Sequence, residues 1–259
     1  MKNIKKITNS LKMILIAGAL IYAPCCYEEA DNEPPAIPRG LTSVTGDEEV
    51  MLYWYANNEP DLEAYRIYRS YDPEGPYYLI GETNFDYFLD YGLENGLTYF
   101  YAITAFDENG NESDLSYELV FDTPRPEGYN IRLYDVDEYP VYAGWDFSEY
   151  EIVSWNYSQS DIYYDYDSPS DIPYLLVYKS GGLIQDMGYT ESMDDITYAP
   201  DQGWSPSGVV EAVEGHTYVF WTWDNHFAKL RVTEVGPEHM VFDWAYQIDP
   251  GNPELVIGH

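Results

Sequence analysis

Carboxylates crowd two short stretches of this 259-residue chain, Asp161 to Asp171 (DIYYDYDSPSD) and Met193-Asp-Asp195. Several oxygen ligands close together suit Ca2+, so calcium is one cofactor expectation. Neither stretch has the Asp-x-Asp-x-Asp-Gly spacing of a calcium loop, and among 46 acids chance proximity is the plainer account. Glycoside hydrolysis needs two carboxylates facing each other across a sugar, and nothing in the spacing singles out two. There is no Gly-x-Ser-x-Gly elbow, His-Glu-x-x-His helix, phosphate-binding loop or dinucleotide fingerprint. The expectation is that the chain is not an enzyme.

Binding chemistry has more to draw on. Six of the seven tryptophans, at 145, 155, 204, 221, 223 and 244, and all four histidines lie beyond residue 128. Flat rings stack on sugars and on hydrophobic peptides, although most such rings fill cores. A strand from His216 to Trp223 puts Trp221 and Trp223 on one face. Trp204 lies in the loop Gly203-Trp-Ser-Pro206, where full burial is least expected, so it is the ligand-binding candidate. His216 at a strand start and His226 at a turn suit ordinary hydrogen bonding.

The elements that hold these residues begin after an N-terminal segment. Met1 to Lys12 carries four lysines and no acid, and Met13 to Ala23 is an unbroken apolar run too short for a spanning helix. Residues 1–24 therefore read as an export signal and residues 25–38 as an acidic tether. Pro24-Cys25-Cys26 resembles a bacterial lipoprotein signal, with Pro24 in place of the small residue expected before the cysteine; Cys25 and Cys26 are the lipidation candidates. The expected location is outside the cytoplasm, secreted or lipid-anchored at the cell surface or outer membrane. No other cysteine exists, which excludes disulfides and Cys-ligated metals from the folded part. A net charge of −34 repels nucleic acid and anionic membranes and favours solubility. Membrane contact is expected only through a lipid anchor.

Beyond the tether the chain reads as all-β. Short apolar runs separated by turn signals give seven strands: Leu41 to Thr45, Val50 to Tyr55, Ala64 to Ser70, Tyr77 to Gly81, Tyr87 to Asp90, Tyr99 to Asp107 and Leu115 to Val120. Tyr99, Tyr101, Ile103 and Ala105 share one face, and Asp107-Glu-Asn-Gly-Asn111 makes a hairpin turn. Trp54, Leu93-x5-Tyr99-x-Tyr-x-Ile-x-Ala105 and Tyr65-Arg-Ile-Tyr-Arg69 make residues 35–123 similar to the fibronectin type III family. The resemblance implies a β-sandwich used as a spacer or binding module, with Trp54 in the core and Tyr99 as the corner tyrosine, its hydroxyl bonded to nearby backbone.

Asp122-Thr-Pro-Arg-Pro-Glu-Gly128 contains the expected linker, residues 124–128, and residues 129–259 form a second, mostly antiparallel β domain. Its expected strands are Ile131 to Tyr134, Glu151 to Trp155, Asp161 to Tyr166, Tyr174 to Tyr178, His216 to Trp223, Ala228 to Val235 and Met240 to Gln247. The stretch from Gly215 to Thr233, with Trp145-Asp-Phe147 and Ser160-Asp-Ile-Tyr163, resembles the secreted haem-binding proteins typified by HmuY. That resemblance implies haem held between axial side chains, for which His216 and His226 are the candidates and His239, Met187, Met193 and Met240 the remaining donors. The function expected is non-catalytic binding or adhesion, with the fibronectin type III module as spacer. Haem or small hydrophobic ligand capture and a carbohydrate-binding accessory role are the alternatives. The partner is an unidentified protein, glycan or small molecule.

Overall fold

The structure is a computed structural model that describes residues 31–256. The export signal, Cys25 and Cys26 lie outside the described residues. No helix among the described residues is long and apolar enough to cross a membrane.

Alternating apolar and polar residues make seven strands of the first sandwich: β1 (Arg39–Thr45), β2 (Glu49–Tyr55), β3 (Leu62–Ser70), β4 (Tyr78–Thr83), β5 (Tyr87–Tyr91), β6 (Tyr99–Asp107) and β7 (Val120–Asp122). They pair as an antiparallel sheet β1-β2-β5 facing an antiparallel sheet β4-β3-β6-β7, the strand arrangement of a fibronectin type III sandwich. The inward row of β6, Tyr99, Tyr101, Ile103 and Ala105, is buried as its period of two requires. Trp54 is buried edge-on against Tyr65, with ring centroids 5.2 Å apart. The Tyr99 hydroxyl accepts the Glu94 N–H at 3.0 Å, which fixes the corner. Asp107 Oδ1 accepts the N–H groups of Asn109 and Asn111, and Gly110 takes φ +85° to close that turn.

The last strand departs from expectation. Leu115 to Leu119 is not a strand, and both leucines are exposed. Hydroxyls explain why: Ser113 Oγ accepts from Ala105 N and Ser116 Oγ accepts from Ile103 N. Side chains there take ladder positions that backbone carbonyls would otherwise fill.

The expected linker is buried from Asp122 to Pro126, and Glu127 and Gly128 already belong to the next strand. Three backbone bonds hold it. Gly96 N donates to Pro124 O at 2.8 Å, Arg125 N to Gly46 O at 3.2 Å and Tyr246 N to Pro126 O at 2.9 Å. Burying a peptide group demands such partners, so the connection is a stapled segment between the two sandwiches.

The second sandwich has ten strands: β8 (Glu127–Tyr134), β9 (Gly144–Asp146), β10 (Glu151–Val153), β11 (Ile162–Asp167), β12 (Ile172–Val177), β13 (Leu183–Tyr189), β14 (Val209–Glu211), β15 (His216–Trp221), β16 (Phe227–Gly236) and β17 (His239–Gln247). One sheet runs β10-β9-β11-β12-β14 and the other β13-β15-β16-β17-β8. β9, β13 and β14 go beyond the expected set. β9 and β14 are three residues long, too short for a period to show, and the pairing of β13 with β15 shifts register between Asp186 and Tyr189. The core between the sheets joins Trp145, Phe147, Tyr164 and Leu175 to Tyr218, Phe220, Phe242 and Trp244. Trp145 lies 5.3 Å from Trp244 and 5.8 Å from Phe242. Each buried indole removes on the order of 200 Å² from water, roughly 5 kcal/mol before entropy is charged against it.

One buried ionic cluster braces the connection. The Lys229 ammonium, wholly buried on β16, donates to Asp194 Oδ1 at 2.8 Å and to Ile196 O at 3.2 Å. Arg125 reaches the same oxygen at 2.6 Å and Glu127 at 3.1 Å. Burial lowers the Lys229 pKa to about 8, although Asp194 works against that. Burial alone would raise the Asp194 carboxyl, but the Lys229 and Arg125 charges outweigh it and hold the group below its ordinary value.

Candidate functional site

The groove with the most chemistry lies on the outer face of the β10-β9-β11-β12-β14 sheet. Strand β11 buries Ile162 and Tyr164, so the alternate residues Tyr163, Asp165 and Asp167 point outward. Across the β11–β12 pair, Tyr163 faces Leu176, Asp165 faces Tyr174 and Asp167 faces Ile172. Register therefore sets an aromatic ring beside a carboxylate on one surface.

Trp155 completes the aromatic side. Its backbone N donates to Pro140 O at 3.0 Å, and its ring lies 5.4 Å from Tyr163 and 5.8 Å from Tyr178. This placement depends on Gly144 of β9. A β-carbon there would stand 2.6 Å from Ser160 Oγ and 3.0 Å from Trp155 Cα, so only glycine lets that segment lie against the sheet.

The resulting groove has a volume near 550 Å³, with Asp137 and the loop Asp167-Ser-Pro169 also lining it. Its lining carries three carboxylates, Asp137, Asp165 and Asp167, and no lysine or arginine. Burial raises the Asp165 pKa, and the neighbouring charges of Asp135, Asp137 and Asp167 raise it further. Burial, then Asp165, likewise raises the Tyr163 phenol. Half-buried rings beside carboxylates offer faces for C–H stacking and acceptors for hydroxyl or ammonium donors.

The other expected site residues lie elsewhere. Trp204 is half-buried in its loop and packs against the small core of Val219, Phe227 and Leu255, with its ring 6.4 Å from Trp221. Trp221 ends β15, and Trp223 belongs to the turn that follows, so the two do not share a strand face. The turn forms because Thr222 bonds back to His226 and Asn225 takes φ +71°. The Lys179 ammonium sits 3.4 Å over the Trp223 ring and covers that face.

His216 and His226 are not brought together. His216 starts β15 and His226 lies in the turn beyond its far end, about 17–20 Å of strand away. His216 Nδ1 bonds Asp186 at 3.0 Å, whereas His226 Nδ1 is buried 3.3 Å from Asp224 Oδ1 without a hydrogen bond. The third histidine, His239, contacts Glu234 at 2.9 Å. Met193 and Met240 are core residues and Met187 packs on the small core, so no histidine–methionine slot forms among them. Of the acid clusters, Asp194 is bound up with Lys229 and Arg125, and Asp195 caps its own turn. The stretch from Asp161 to Asp171 divides. Asp161 is buried with Oδ2 accepting from Phe147 N, while Asp165 and Asp167 face the groove.

No protein-family model matches the chain. It is 35% identical over 103 residues to an amylopullulanase of Thermoanaerobacterium saccharolyticum, a match covering 38% of this chain and 8% of that enzyme. The chain thus spans less than a tenth of that relative's length. Among solved structures, an Fn3-like protein from Clostridium thermocellum is 30% identical over 32% of this chain and 85% of its own, with a TM-score of 0.29. A DUF4466 family protein from Parabacteroides merdae covers 82% of this chain and 99% of its own at 12% identity, with a TM-score of 0.49. The resemblance to the haem-binding proteins is not shown by these relatives.

Proposed function

We propose that this chain is a non-catalytic, exported glycan-binding protein. In this reading the second sandwich takes a sugar in the groove of Trp155, Tyr163 and Tyr174, and the fibronectin type III sandwich presents it. The observation that carries the reading is the gathering of half-buried rings and carboxylates in one open groove, with the Trp155 ring tilted 51° to that of Tyr163, which suits a ligand with apolar C–H faces and many hydroxyls. Similarity to a stretch of an amylopullulanase, an enzyme named for polysaccharide substrates, points the same way. The Trp204–Trp221 cluster is the weaker platform, because Trp204 is committed to core packing and Lys179 covers Trp223. The N-terminal segment supplies export and, through Cys25 or Cys26, a lipid anchor.

Electrophoresis of the full chain through gels containing soluble polysaccharides tests this. Retardation by at least one polysaccharide is expected, with the shift lost in Trp155→Ala and Tyr163→Ala and kept in Trp223→Ala. Free migration in every glycan gel, or retardation indifferent to Trp155, would overturn the reading.

A further inference from the structure

Resting on the glycan-binding reading, we infer that the groove selects a sugar bearing a protonated amine, a glucosamine-type polymer, over neutral or anionic glycans. The acids alone would not carry this. Their placement beside the stacking rings does.

A pyranose stacked on one ring of this tilted pair, Trp155 or Tyr163, has Asp165 next along the same outward face of β11 and Asp167 beyond it, and Asp137 lines the same groove. Ring substituents extending from such a sugar toward the C-terminal end of β11 meet carboxylates. A neutral hydroxyl satisfies one acceptor and leaves the mutual repulsion of these charges in place. That repulsion is already felt at Asp165, which is half-buried and within reach of the charges of Asp135, Asp137 and Asp167, with no lysine or arginine in the lining. An ammonium group supplies up to three donors and the missing opposite charge, so it gains where a hydroxyl does not. Aromatic walls add to the preference, because the faces of Trp155 and Tyr163 attract a cation. A uronic acid brings a further negative charge into a groove that already holds three, and is excluded.

The test is isothermal titration of the full chain with three hexamers of equal length: β-1,4-linked glucosamine, its N-acetylated form and the glucose oligomer. Measurements belong at a pH where the amine is charged, at 20 and 300 mM NaCl. The glucosamine hexamer is expected to bind at least fivefold more tightly than either neutral hexamer. That advantage should shrink severalfold at the higher salt and vanish in Asp165→Asn. Trp155→Ala should abolish binding of all three. Equal affinity for all three hexamers, still lost in Trp155→Ala, would overturn the amine preference and leave the glycan reading standing. No binding of any hexamer together with free migration in every glycan gel would overturn both. Because a chain of net charge −34 attracts any polycation, tighter glucosamine binding that survives both Trp155→Ala and Asp165→Asn would also overturn the inference, as attraction by the whole molecule.

Discussion

Removing Asp194 tests whether the second sandwich depends on a balanced buried charge cluster. Asp194 Oδ1 receives both the Lys229 ammonium at 2.8 Å and an Arg125 guanidinium N–H at 2.6 Å. Asp194→Ala leaves Lys229, fully enclosed, with only the Ile196 carbonyl. Breaking a buried pair in this way costs about 3–5 kcal/mol. Asp194 itself is 36% exposed, so solvent screens part of the loss and the lower end, about 3 kcal/mol, is expected. For a folded unit of this size that corresponds to a fall in Tm of roughly 6–12 °C. Lys229→Met behaves differently, because it removes the desolvated charge together with its need for a partner. That variant should stay within about 1 kcal/mol of the parent or exceed it. Combining Lys229→Met with Asp194→Ala should recover much of the single-variant loss. Thermal unfolding followed by circular dichroism at pH 7 measures all three. A Tm for Asp194→Ala within 2 °C of the parent, or a double variant no better than the Asp194 single, would refute the reasoning.

Two further expectations concern stability and the groove. Burial raises the Asp161 carboxyl to about 7 and that of Asp122 to about 6, so the folded state holds their protons where the unfolded chain has released them. Each group therefore costs nothing below its ordinary value of 3.8, and destabilises progressively as pH rises to its folded value. Asp161→Asn should raise stability at pH 8 by an amount on the order of 4 kcal/mol and flatten the urea-denaturation profile between pH 4 and 7; an unchanged slope would refute the assignment. Gly144→Ala pushes a β-carbon against Trp155 Cα and Ser160 Oγ. It should weaken polysaccharide retardation at least tenfold while the far-ultraviolet spectrum stays that of the parent, and undiminished retardation would show that Trp155 needs no such seat.

The first sandwich was legible in the sequence because each of its cues is local. Inward alternation along β6, Gly110 in a turn of positive φ, and the five-residue reach from Glu94 to the Tyr99 hydroxyl all lie within one strand or one turn. A period of two puts side chains 163, 165 and 167 on one face of β11, but the expected strand stops at Tyr166 and its acids suggest only calcium. The site itself was not legible. Trp155 reaches Tyr163 only because Gly144, eleven positions earlier, pairs with Tyr163 and leaves room above the sheet, a relation that spacing cannot express. Burial of the linker, the shared oxygen of Asp194 and the separation of His216 from His226 depend on which strands become neighbours. Periodicity tells which side of a strand is wet, whereas neighbours in a sheet are chosen by packing across the whole core. Local patterns of side chains thus set the class of fold and the available chemistry, while packing across the whole core chose which rings and carboxylates meet.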